Sequence, residues 1–158
     1  MDQQTLLTIA ETALRIGFGL RFLTSGISNI RRWPNPVRNA ELVFPFGTKF
    51  FGVVAVFLMV GGAAGLILGL ATRIAALMIA LFLLPTIKIQ LHWLKALPPI
   101  IEEVSGAVTE AARPKLQLLA RHAYHSHETT LQENILFVLL ALYFAARGAG
   151  AFALDNLF

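Results

Sequence analysis

The sequence predicts an all-α integral membrane protein: a four-helix bundle, one transmembrane domain over residues 1–158, with short amphipathic interfacial helices in its third loop. Three observations carry this expectation. Hydrophobic residues make up 56% of the chain against 14% charged, with a mean hydropathy of +0.68, too apolar for the single core of a small soluble domain. The apolar residues fall in blocks, and a helical crossing needs about 20 of them in succession. Between the blocks lie prolines, a tryptophan and basic residues suited to the membrane interface.

The first helix is expected over about 6–30 and carries Glu11, Arg15 and Arg21. Met1-Asp2-Gln3-Gln4 lacks the basic start of a secretion signal, so this block is expected to stay in the mature chain. Arg31-Arg32-Trp33-Pro34-Asn35-Pro36-Val37-Arg38 then reads as an interfacial loop, because its prolines end the helix and its tryptophan suits headgroups. The second helix, about 50–70, has no charged residue, and Gly61, Gly65 and Gly69 form a stripe for close helix contact within the bundle or at an oligomer interface.

Only a few residues separate it from the third helix, about 71–94, so these two form an antiparallel hairpin. The stretch 95–128 reads as an interfacial loop. Within it Ile100, Ile101, Val104, Val108 and Ala111 recur at helical spacing until Pro114, and Lys115 to Tyr124 forms a second short helix. The fourth helix is expected over about 129–147.

Basic residues bias the topology. Arg31, Arg32, Arg38, Lys49, Lys95, Arg113, Lys115 and Arg121 gather on one side, with little beyond Arg73 and Arg147 on the other, which sets both termini outside the cytoplasm of a bacterial inner membrane. The net charge of +4 is thus assigned to lipid phosphates and topology, not to nucleic acid. The chain has no cysteine, which excludes thiolate metal sites, iron–sulfur clusters and covalently attached haem.

Charges inside a membrane helix must find partners. Glu11, one turn before Arg15, is its local candidate partner. Arg21 lies deeper, at a level with Ser25, Asn29, Lys88, Gln90, His92 and Glu133, and Arg21 to Glu133 is the ion pair expected. Arg21, Ser25, Lys88, His92 and Glu133 are candidates to hold a polar headgroup such as a quinone ring, the alternative being a structural lock. Pro85 frees a carbonyl near Leu81 and favours a site. His122, His125, His127 and Glu128 could ligate zinc or copper, but their spacing fits no strong motif and a solvated loop is the preferred reading. Haem would need two histidines at depth, and only His92 is near a span.

The order of motifs resembles the DoxX family of small four-helix membrane proteins, named after a subunit of thiosulfate:quinone oxidoreductase. Arg15, Gly19, Phe22 and Gly26 match its first-helix pattern, Thr72 and Arg73 its hairpin turn, and Leu154-Asp155 its C-terminal signature. Two features depart from it: Asn29 stands where many members carry lysine, and the third connection is longer. The resemblance implies a membrane subunit of a redox or respiratory complex, contributing helices and a quinone-facing pocket without being catalytic alone. The alternative is a non-catalytic assembly subunit that packs on a larger complex through its third loop. Expected associates are membrane lipids, other membrane subunits or further copies of the chain.

Overall fold

The computed structural model describes residues 2–150 and 152–157, and among them every regular element is helical. The elements are α1 (Gln3–Arg31), α2 (Asn35–Glu41), α3 (Thr48–Leu68), α4 (Thr72–Ala107), α5 (Arg113–Arg147) and a closing 3₁₀ turn, Leu154–Leu157. The Asp2 carboxylate caps α1 by accepting the Thr5 N–H at 2.8 Å. Pro36 opens α2, where its missing N–H costs nothing. Gly69 ends α3 at φ +64, a conformation that favours glycine, and its N–H turns back onto the carbonyls of Gly65 and Leu66.

Successive long helices run antiparallel and meet through small residues. On α1, a Cβ added to Gly19 would come within 2.7 Å of Ile67 and 3.0 Å of the Ala63 carbonyl of α3, so the backbones touch. Across the α3–α4 hairpin, a Cβ at Gly65 would stand 2.6 Å from the Ala75 Cβ, and one at Gly62 would stand 2.8 Å from the Ala75 carbonyl. The expected stripe is therefore refined: Gly65 is a contact point and Gly69 a turn, while Gly61 meets the flexible tip of Met78 and the edge of Phe57, and Gly62, beside the stripe, is the tighter contact. The core between the helices includes Phe18, Phe22, Leu66, Ile79, Leu83 and Phe144. α1 and α5 are bridged by rings, with Phe137 centred 5.7 Å from Phe18 and 5.5 Å from Phe22.

The third connection departs from expectation. Residues 95–128 form no loop with separate surface helices; α4 continues to Ala107 straight through Pro98 and Pro99, and α5 begins at Arg113 with Pro114 in its first turn. The fourth helix thus starts well before residue 129. Both prolines are exposed, so water can take up the carbonyls they leave without donors, and the proline φ is itself helical. At 36 and 35 residues, α4 and α5 are about 54 and 53 Å long, well beyond an apolar layer of about 30 Å. Each is therefore longer than one crossing needs, and their far halves form a two-helix stalk. Part of the first loop is helical too, as α2.

Three helices, α3, α4 and α5, are long and apolar enough to cross a membrane. α1 has the length, 29 residues, but carries Glu11, Arg15 and Arg21. Its most costly charge is sheltered, since Arg15 is buried in the bundle.

Candidate functional site

Where the α3–α4 hairpin turns, the ends of both helices present unpaired backbone groups. Arg15 is 2% exposed and donates to the carbonyls of Leu66, in the last turn of α3, at 2.5 Å and of Phe152 at 2.6 Å. Its cation thus sits at the negative end of α3. Asp155 does the reverse for α4: its carboxylate accepts the N–H groups of Ala71 at 2.5 Å and Thr72 at 3.0 Å, and its own N–H donates to the Gly69 carbonyl at 2.9 Å. The Thr72 N–H, with that of Ala71, holds the Asp155 carboxyl below the usual carboxylate range. Arg15, Thr72 and Asp155, far apart in sequence, thus form one clip that ties the chain's C-terminal segment to the hairpin turn.

The expected pairing of Glu11 with Arg15 is corrected. Glu11 faces α5, where it accepts from the Tyr143 hydroxyl at 2.7 Å and from Arg147 at 3.3 Å. Arg15 is drawn into the core because the α3 terminus offers it carbonyls. Tyr143 and Arg147 were missed from the sequence; their signal was the i, i+4 spacing on a helix antiparallel to α1.

Further along the α1–α5 seam, Arg21 stands 3.8 Å from Glu133, donates to Ser25 at 2.5 Å and lies 5.9 Å above the Phe137 ring. Both charged side chains remain about half exposed, at 51% and 46%. Lys88 and His92 do not join them. Lys88 reaches instead toward the Val43 carbonyl at 3.5 Å, and His92 lies edge-on to Trp93. Arg21, Ser25 and Glu133 thus gather on the α1–α5 seam, while Lys88 and His92, one turn apart on α4, make other contacts, so the five do not surround one point.

A different set of residues encloses space. A cavity of about 350 Å³ lies between the end of α1, α2, α3 and α4. Its wall is mostly apolar, including Phe44 and Phe51, whose rings stack face to face 3.8 Å apart. Three polar side chains reach it: Asn29, Asn39 and Thr86. Thr86 donates to the Leu83 carbonyl at 2.6 Å and accepts from the buried Asn134 at 3.1 Å, so it has little left to offer. Asn29 has only a 3.8 Å contact with the Met59 sulfur. Pro85 and Leu81 also line the wall, and since Pro85 has no N–H, the Leu81 carbonyl lacks its i+4 donor. The cavity therefore offers amide donors, a carbonyl acceptor and an apolar body, the usual make-up of a small-ligand site.

The histidines do not converge. His127 turns to α4, 2.6 Å from Gln90 and stacked on Trp93, whereas His125 pairs with Glu128 at 3.2 Å. Among the described residues, no group of three or more histidine, aspartate or glutamate side chains is placed to hold a metal ion. One helix cannot aim His122, His125, His127 and Glu128 at a single point.

No curated protein and no solved structure matches the chain. The family model for DoxX matches residues 10–93, more than half of the sequence, taking in the first-helix motif and the hairpin turn, with Leu154-Asp155 beyond the matched stretch. With its apolar spanning helices and that match, this integral membrane protein belongs to the DoxX family.

Proposed function

We propose that the chain is a membrane subunit of a redox or respiratory complex, and that the cavity between α2, α3 and α4 seats the ring of a quinone. The single observation that carries this reading is the partly open, mostly apolar cavity of about 350 Å³ with the amides of Asn29 and Asn39 at its wall. When bound, a quinone supplies two-electron, two-proton redox chemistry. The chain's own part would be to orient it: the Asn29 and Asn39 amides would donate to ring oxygens, the Leu81 carbonyl would serve as an acceptor, and Phe44 and Phe51 would exclude water. With no cysteine in the chain, electrons come from a partner subunit.

In this reading α1 is the fourth crossing. Its end, α2, the start of α3 and the stalk share one side, where the basic residues cluster, so that side faces the cytoplasm of a bacterial inner membrane and both termini face away. A second reading, a non-catalytic assembly subunit, draws support from the Arg21–Glu133 pair, whose half-exposed charges at membrane depth call for a neighbouring chain to cover them.

The test is quinone reduction by the complex purified from its own membrane, carrying Asn29→Leu and Asn39→Leu. Assembly intact with quinone reduction lost or its KM for quinone raised supports the cavity. An intact complex with unchanged kinetics refutes it, and loss of the complex after Arg21→Ala or Glu133→Ala alone favours the assembly role.

A further inference from the structure

The stalk carries a stripe that the rest of the chain leaves open. Its two helices meet along a seam where Thr86 faces Asn134, while Gln90 and Trp93 both face His127. Extending that antiparallel register puts position 100 level with 119 and position 103 level with 115. Helical spacing continues the seam through Leu97 and Ile101 on α4 and through Ala123, Ala120 and Leu116 on α5, all half-buried. The residue preceding each seam position is rotated by about 100°. Because the helices are antiparallel, that rotation leads to the same side of the hairpin on both. This side presents Ile100 and Glu103 from α4 with Lys115 and Leu119 from α5, all exposed, Ile100 by 45% and Leu119 by 68%.

We propose that this stripe docks a second copy of the chain. The charges make it self-complementary: acid on α4 and base on α5 at one level, with an apolar residue beside each. The membrane holds both copies the same way up, so their two-fold axis must run along the stalk. That axis sets α4 of each copy against α5 of the other, Ile100 against Leu119 and Glu103 against Lys115, twice over, and the two hairpins close a four-helix bundle. A lipid surface does not fit this face, because the stalk continues the spanning helices away from the bilayer. The proposal is independent of the cavity and of any redox role.

The chain has no cysteine, so cross-linking starts from a clean background. Two differently tagged full-length chains, one carrying Glu103→Cys and the other Lys115→Cys, are expressed together and oxidised in native membranes. A disulfide joining the two tags is expected, since this bond requires Cα atoms within about 7 Å. Glu102→Cys with Gln117→Cys, each one residue past the seam and so at the same level on the opposite face, should give none. Charge reversal at Glu103 or Lys115 alone should weaken the dimer about fivefold, and E103K with K115E in one chain should restore it. No mixed-tag disulfide, equal cross-linking by the opposite-face pair, or a charge-swapped chain as weak as the single reversals would overturn the proposal.

Discussion

Replacing Arg15 by methionine tests the clip at the hairpin turn. The change keeps much of the side-chain volume but strands the carbonyls of Leu66 and Phe152, which the guanidinium holds at 2.5 and 2.6 Å. Each hydrogen bond from a charged donor contributes about 1.5 to 3 kcal/mol. Against their sum stands the cost of keeping a cation in the core, where Arg15 is 2% exposed and its Nε meets no acceptor among the described residues. The balance predicts a loss of about 3 kcal/mol. Arg15→Lys supplies one compact ammonium in place of a fork and should recover about half of that. Reversible unfolding in bicelles, followed by tryptophan fluorescence, measures both. If the methionine variant unfolds within about 0.5 kcal/mol of the parent, the carbonyls do not need the cation and the reasoning fails.

The same clip should respond to acid. The Asp155 carboxyl is depressed in the folded chain, so its contribution is complete above the unfolded carboxylate range and fades as pH falls through the lower folded value, below about pH 4; Asp155→Asn should remove that part of the pH dependence, and an unchanged acid profile would contradict it. Gly65→Leu should drive α3 from α4, since even a Cβ there meets Ala75 at 2.6 Å; a loss of about 1 to 3 kcal/mol is expected in the same unfolding assay, whereas Gly61→Ala should be mild. For Arg21 and Glu133, Glu133→Leu alone should destabilise the chain more than the double change Arg21→Leu with Glu133→Leu, because the single change leaves a cation unpaired. Thermal unfolding in detergent reads this, and strictly additive effects would show that the pair is uncoupled.

How much of this was legible beforehand depends on the kind of signal. Block length against bilayer thickness pointed to the three helices that are long and apolar enough to cross, since that signal is local. The stalk was misread because Pro98 and Pro99 are strong local breakers, while the α5 surface that keeps α4 helical past them lies outside any local window. Arg21 and Glu133 could be matched by depth alone, which antiparallel helices preserve. Arg15 could not, because its partners are backbone carbonyls, which a sequence does not advertise. Asp155 was visible as part of a signature, but its role as a cap supplied from far along the chain emerges only where the chain returns to the turn. The cavity depends on α2 folding back against α3 and α4, and short helices after a proline-rich loop leave little pattern.

The proposed quinone site lies at the α2–α3–α4 cavity, at the end opposite the clip. Photolabelling native membranes with an azido-quinone, then mapping the labelled peptides by mass spectrometry, tests it most directly. Label is expected on the segments around Asn29, Phe44 to Phe51 and Pro85 to Ile89, competed away by excess unmodified quinone. Label confined to the Arg21–Glu133 seam, or label that excess quinone does not displace, would contradict it.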